Sequence, residues 1–236
     1  MPKTGSLKNK SQLNRIVFNL VPEGMQGRVV GFTPLDKRSN AFIKRTFDLL
    51  ISTLLIVFIC PFLLPLIALL IKIDSRGPVF FIQKRHNRYG TVFACLKFRS
   101  MYENESSDIL PCLENDQRIT NCGKFLRKYH LDELPQLFNV FLGHMSIIGP
   151  RPFMINENLI YEKILSNYSY RLKVKPGITG LAQSYGYYGY LHTHDQLQQR
   201  LAYDHKYINE WSLKMDIEII GRTLKNAFNV RKSETK

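Results

Sequence analysis

Hydrophobic and polar positions are spread unevenly along this chain, and one stretch departs from the rest. Residues 49–73, LLISTLLIVFICPFLLPLIALLIKI, carry no basic residue and no acid before Lys72. A run of that length exceeds the ~20 residues that cross a bilayer as a helix. A buried soluble helix normally keeps a polar face, and this one shows none. It lies too deep in the chain to be a signal peptide, and no small-residue cleavage site follows it. Pro61 stands at its centre and Pro65 one turn later. A mid-helix proline deletes a backbone hydrogen bond and kinks the helix. Cations flank the run on both sides: Lys37, Arg38, Lys44 and Arg45 before it, Lys72, Arg76, Lys84 and Arg85 after it. Basic flanks prefer the cytoplasmic side. Two such flanks predict a re-entrant helix–break–helix that bends near Pro61 and leaves by the face it entered. The alternative is a kinked single span with one basic flank outside.

The other periods are those of a small, helix-rich α+β protein. Residues 1–41 form a basic, mixed extension in which RIVFNLV (15–21) suits a short strand or an interfacial anchor. PVFFIQKR and TVFACLKFRSM, on either side of residues 87–90, predict two short strands joined as a hairpin. Residues 104–115 are polar and loop-like. Helical patterns run over 119–143, 155–172 and 196 to about 228. GPRP (149–152) is a rigid loop and KPGITG (175–180) a turn. In the last helical stretch Leu201, Ile208, Trp211, Leu213, Ile217 and Ile220 alternate with Lys206, Lys214, Arg222 and Lys225. That pattern suits a helix lying in a membrane interface and a core-packing helix equally well. The chain thus divides into the extension 1–41, the membrane segment 42–74, a domain at 75–228 and a tail at 229–236. No internal repeat is visible.

Charge adds a partner class. Lysine and arginine total 33 against 19 acids, a formal net charge of +14 over 236 residues, which favours an anionic partner such as nucleic acid, lipid headgroups or a phosphorylated substrate. A nucleic-acid-binding protein would account for the charge and not for the uncharged apolar run. Cys60, Cys95, Cys112 and Cys122 form no C-x-x-C pair, so the sequence carries no zinc-knuckle or redox motif and reads as free thiols in a reducing compartment. There is no phosphate-binding P-loop and no G-x-G-x-x-G after a strand. LHTHD (191–195) sets His192, His194 and Asp195 together, but without a further separated ligand it reads as a polar loop rather than a metal site.

The stretch YHLDELPQLFNV (129–140) carries two adjacent acids, Asp132 and Glu133. Leu131, Leu134, Phe138, Phe141 and Leu142 fall at helical spacing, which predicts one buried face. Pro135 is tolerated only in a first helical turn, so the helix is expected to start near Asp132, with both acids where unpaired N–H groups stabilise anions. The plain reading is a helix cap that adds stability only. The neighbourhood offers another. Arg118, Lys124, Arg127 and Lys128 lie upstream, Arg151 is locked between Pro150 and Pro152, and Lys97 and Arg99 stand at a strand end. Two acids among such cations could hold Mg²⁺ and attack a phosphorus atom while the cations bind phosphate oxygens, since an aspartate can act as a nucleophile that forms an acyl-phosphate.

At these residues the chain resembles the bacterial sugar transferases, the monotopic phosphoglycosyl transferases. KRTFDLL (44–50), Pro61, GPVFFIQKR (77–85), LKFRSM (96–101), DQRIT (116–120), FLRKYHLDELPQLFNV (125–140), MSIIGPRP (145–152) and VKPGITGLAQ (174–183) follow the family's order. The resemblance covers about residues 42–221, the family's minimal catalytic unit, without the multi-span N-terminal domain of larger members. It implies that a UDP-sugar gives its sugar-1-phosphate to polyprenol (undecaprenyl) phosphate, releasing UMP, as the first membrane step of polysaccharide or glycoconjugate synthesis. The aspartate matching Asp132 is the nucleophile in that scheme, and Glu133 matches a Mg²⁺ ligand. Lys97, Arg127 and Arg151 match cations around the substrate phosphates, and the kink at Pro61 matches a re-entrant helix. The resemblance further implies the bacterial inner membrane, with the catalytic domain on the cytoplasmic face and lipid as a partner. Assembly with further copies of the chain stays open, and nucleic acid is not expected. One departure stands out. Where the family often has Asn-Gly and then an arginine, this chain reads SYGYYGY, with Tyr187 and Tyr188 at the arginine's place. His144 and Asn87 also differ from commoner family residues. The rival reading is a membrane-anchored partner without activity, against which the intact Asp132, Glu133, Lys97 and Arg151 speak.

Overall fold

The structure is a computed structural model in which residues 32–104, 107, 112, 116–189 and 193–233 are described. The stretch at 15–21 and most of the extension 1–41, like the end of the tail, lie outside these residues. The apolar run folds as two helices, α1 (Arg38–Phe58) and α2 (Cys60–Asp74), bent by 62° at Ile59. Pro61 sits in the first turn of α2, where a proline is tolerated, and it has no N–H to give the carbonyl one turn back in α1. Neither helix alone is long and apolar enough to cross a membrane, whereas the bent pair is by length and composition. Along its outer side Leu50, Leu54, Phe58, Leu66 and Ile73 are exposed, and Phe62 is 78% exposed. Its inner side buries Ser52, Cys60, Ile67 and Ile71.

The flanking cations are not all free, which corrects the simple flank argument. Lys44 is buried and pairs with Asp48 at 3.4 Å and Asp216 at 2.9 Å. Arg45 donates to the carbonyls of Val140 and Phe141, both at 2.7 Å. Arg85 is buried as well. Lys37, Arg38, Lys72, Arg76 and Lys84 remain on the surface.

Strands β1 (Phe80–His86) and β2 (Val92–Phe98) form the expected antiparallel hairpin, with Phe81 opposite Lys97, Gln83 opposite Cys95 and Arg85 opposite Phe93. Alternation puts Gln83, Arg85, Phe93 and Cys95 on the buried face. The helical pattern at 119–143 is broken by two turns of chain into α3 (Asn121–Lys128), a 3₁₀ turn (Leu131–Glu133) and the short α4 (Gln136–Phe141). Helix α4 starts after Asp132, so its buried face is Leu137 and Val140, while Phe141 and Leu142 are exposed, contrary to the period read from the sequence. Asn139 of α4 fastens it to the hairpin edge, accepting from the Leu96 N–H at 2.9 Å and donating to the Ala94 carbonyl at 2.7 Å.

Beyond α4, the turn at KPGITG proves to contain a strand. Strand β4 (Gly177–Thr179) pairs in parallel with β3 (Ser146–Ile148), flanking the GPRP loop. Three-residue strands are too short to show a period. The backbones approach closely here: a Cβ on Gly149 would lie 2.5 Å from the Lys175 carbonyl oxygen. The helix expected over 155–172 ends early, as α5 (Ile155–Ile164) followed by a 3₁₀ segment (Tyr168–Lys173). After the one-turn α6 (Leu181–Ser184), the last stretch is two helices, α7 (His194–Glu210) and α8 (Leu213–Ser233). Helix α7 is a core helix that buries Leu197, Leu201, Tyr207 and Ile208, whereas α8 buries Ile219 and leaves Ile217 and Leu224 exposed.

Candidate active site

The sequence YHLDELP dictates the local geometry of the acids. His130 adopts the left-handed conformation (φ 55°), which ends α3 and turns the chain into the Leu131–Glu133 turn. Pro135 caps α4 and keeps the helix from extending back over the acids. Asp132 and Glu133 therefore stand before the helix rather than in its first turn, and both are buried.

The two neighbours have unlike environments. Arg151 grips Glu133 with both terminal nitrogens, at 2.6 and 3.1 Å, and the Lys97 ammonium lies 3.6 Å away. Burial pushes the Glu133 carboxyl up, but Arg151 and Lys97 outweigh it and hold it well below the usual carboxylate range. Among the described residues no side chain hydrogen-bonds the Asp132 carboxylate. Burial and the Glu133 charge raise it above an ordinary aspartate, against the pull of Lys97, Arg127 and Arg151. Burial lowers Lys97, whose charge is kept by Glu133. One carboxylate is thus clamped and ionised, while its neighbour keeps its lone pairs available.

All five predicted site residues line one cavity of about 1050 Å³. Lys97 reaches it from β2, Arg127 from α3 and Arg151 from the loop after β3, with the Arg127 Nε donating to Ser100 Oγ at 2.8 Å. The cavity is also lined by Leu55 of α1, Ile178 of β4, and Thr223 and Ala227 of α8.

Pro61 lies at the bend and is not among the cavity residues. Arg99, read beside Lys97, also lines the cavity, with its guanidinium tied to the end of α2 by donation to the carbonyls of Ser75 at 2.8 Å and Arg76 at 2.6 Å. Arg118 pairs with Asp116 at 2.6 Å. Of LHTHD, His192 lies outside the described residues. His194 and Asp195 open α7, where Thr193 and Gln196 form a reciprocal cap, so this end is helix rather than loop.

The sequence reading missed what aims Arg151. Its loop is held carbonyl by carbonyl. The Gly177 N–H donates to Pro150 at 3.0 Å, Arg171 to Arg151 at 2.8 Å and Arg85 to Pro152 at 2.5 Å. Arg171 is itself fixed by Asp204 at 2.9 Å and by its guanidinium lying 4.3 Å from the Phe153 ring centroid. The available signal was alternation: Arg85 and Gln83 share the inward face of β1, where a cation needs a buried partner.

Two adjacent acids with no third close His, Cys, Asp or Glu do not make a self-sufficient metal site; no such cluster exists among the described residues. The set fits a magnesium ion completed by substrate phosphates and water, the usual mode for that ion.

The fold and cavity define an α+β domain with a cation-lined cavity, built onto a bent apolar helix pair. Residues 39–230 match the family model described as bacterial sugar transferase, and the chain belongs to that family. It is 44% identical over 190 residues to a UDP-glucose:undecaprenyl-phosphate glucose-1-phosphate transferase of Klebsiella pneumoniae, covering 80% of this chain and 41% of that protein. It is 41% identical over 187 residues to the exopolysaccharide production protein PSS of Rhizobium leguminosarum bv. phaseoli, covering 77% and 93%. It is 38% identical over 209 residues to an undecaprenyl-phosphate galactose phosphotransferase of Salmonella typhimurium, covering 81% and 41%. The chain spans about two fifths of the length of the first of these relatives.

Proposed function

We propose that the chain is a membrane phosphoglycosyl transferase that moves sugar-1-phosphate from a UDP-sugar to undecaprenyl phosphate. The observation that carries the reading is the unclamped Asp132 beside the clamped Glu133 in a cavity faced by Lys97, Arg127 and Arg151. An Asp132 Oδ attacks the phosphorus that bears the sugar. The bond from that phosphorus to the bridging oxygen breaks, and UMP leaves with the electron pair. An oxygen of the acceptor phosphate then attacks the same phosphorus and returns Asp132 to its carboxylate. No proton has to move in either step. The three cations bind phosphate oxygens, with Arg151 suited to a two-pronged grip. Mg²⁺, when bound, would offset the charge that repels a carboxylate from a diphosphate. Glu133 would hold it, exchanging its Arg151 contact for the ion.

Acceptor access supports the same reading. Residues of α1 and α8 line the cavity, and the exposed apolar side chains of α1, α2 and α8 suit contact with lipid. With the 62° bend shared evenly between the arms, the 15-residue α2 would reach about 12 Å deep, within one leaflet's ~15 Å of hydrocarbon. This supports a re-entrant helix at the cytoplasmic face of the bacterial inner membrane. A soluble donor and a lipid-bound acceptor then reach one carboxylate in turn. Relatives are named for glucose and for galactose, so the sugar is set by features that differ among them.

The test is UMP release from a panel of UDP-sugars, with UDP-glucose, UDP-galactose and UDP-N-acetylgalactosamine among them, by the detergent-solubilised chain with Mg²⁺. The proposal expects release without acceptor, limited to about one equivalent if the adduct resists water, and turnover once undecaprenyl phosphate is added. A protein that releases none under either condition is not this enzyme.

A further inference from the structure

The tyrosine-rich loop at SYGYYGY is not absorbed by the mechanism, and its tyrosines divide. Tyr185 stacks on Tyr203 of α7 at 4.6 Å, with the Arg222 guanidinium 4.1 Å from its ring centroid. Tyr187 also packs on Tyr203, at 5.5 Å. Tyr188 turns the other way. It lines the cavity that holds Asp132, its ring meeting His130 edge-on at 5.8 Å and 88°. Gly186 and Gly189, both at positive φ, make that reversal of the chain possible. Tyr188 is 47% exposed, so much of its ring is uncovered, with its orientation fixed by His130.

We propose that Tyr188 is a specificity-determining residue whose ring packs against the apolar face of the donor's sugar. The position follows from the reaction proposed above, on which this inference rests. Asp132 must meet the phosphorus that carries the sugar, so the sugar lies beside Asp132, and the uracil lies a further phosphate away. His130 is two residues from Asp132, and Tyr188 leans on His130. The C–H face of a hexose is apolar, and the negative face of an aromatic ring suits it. An aromatic ring here takes the place of a cation: the sugar is held by shape and apolar contact rather than by a charge on the phosphates. The equatorial or axial hydroxyls that distinguish hexoses change how flat that C–H face is, and so how well a ring lies on it.

The experiment compares Tyr188→Ala and Tyr188→Phe with the parent in the UMP-release assay. It uses UDP-glucose and UDP-galactose as donors, with undecaprenyl phosphate present, and measures the Kd of UMP for the free protein separately by calorimetry. Tyr188→Ala is expected to raise KM for the better donor about 3–10-fold, with kcat changed much less. Tyr188→Phe should stay near the parent, and the Kd of UMP, which lacks the sugar, should not move. An unchanged KM in Tyr188→Ala overturns the inference. So does a UMP Kd weakened by the same factor, because the ring would then meet the uracil. If the parent itself releases no UMP from either donor, the reaction fails and this inference with it. If the parent turns over normally and Tyr188→Ala keeps its KM, only the inference fails.

Discussion

Two carboxylates adjacent in sequence are shifted in opposite directions because only one of them is gripped. Arg151 and Lys97 hold Glu133 ionised, while burial and that same Glu133 charge raise Asp132. The attacking form of Asp132 is the carboxylate, so UMP release falls as pH drops and the acid is protonated. The midpoint of that fall is expected above the usual aspartate value, and a pH–rate profile of the first half-reaction reads it. Arg151→Gln removes a cation that favours both charged forms, so it should move the midpoint to higher pH as well as weaken donor binding. A midpoint unmoved in Arg151→Gln would show that Arg151 does not set the charge of the pair. Asp132→Asn keeps the shape and loses the nucleophile; turnover should fall by at least about 1000-fold, with no phosphosugar adduct. At this scale the fold brings together what the sequence reading grouped: Asp132, Glu133, Lys97, Arg127 and Arg151 all line one cavity. The acids stood out among many cations, and the family resemblance singled out Lys97, Arg127 and Arg151 from those. The grip of Arg151 on Glu133 was not legible, since it joins residues 18 apart through a loop with no period.

The elements that aim these groups were read unevenly. Hairpin β1–β2 was plain because alternation runs through seven residues in each strand. Strands β3 and β4 were missed because three residues carry no alternation to detect, and only the close approach of Gly149 to Gly177 makes the pairing possible. Gly149→Ala would force a Cβ against the Lys175 carbonyl. It is expected to destabilise the protein by about 1–3 kcal/mol and to lower UMP release, read by thermal unfolding alongside the assay. Arg171→Met removes the group that holds the Arg151 carbonyl and leaves Asp204 buried without its partner. A loss of about 3–5 kcal/mol is expected. A variant as stable and as active as the parent would mean that the loop is aimed by other contacts. In the bent pair, Pro61→Leu restores an N–H donor at the bend and lets α1 run on into α2. Labelling of cysteines placed at residues 37 and 76 should then shift from cytoplasmic-only toward opposite faces, while both ends label from the cytoplasm in the parent. A parent labelled from outside at either end defeats the re-entrant reading.

For the molecule as a whole, the bent helix pair and the α+β domain are joined by a buried polar network rather than by apolar contact alone. Asp48 of α1 accepts from the Ile147 N–H at 3.0 Å and Ser146 Oγ at 2.9 Å, next to the loop that carries Arg151. Lys44 reaches Asp216 of α8, which also takes the Trp211 N–H at 3.2 Å. In sequence Lys44 looked like part of a basic flank, since a burial that depends on a partner 172 residues away leaves no local mark. The chain as a whole thus sets Asp132 in a cavity lined both by cations and by apolar residues such as Leu55 of α1 and Ala227 of α8. The most direct test is intact-protein mass spectrometry after brief treatment with a donor that the protein turns over, with fragmentation to locate any addition. The account predicts an added hexose phosphate on Asp132 that disappears when undecaprenyl phosphate is supplied. A preparation that turns over steadily yet never carries that mass on Asp132 would contradict it.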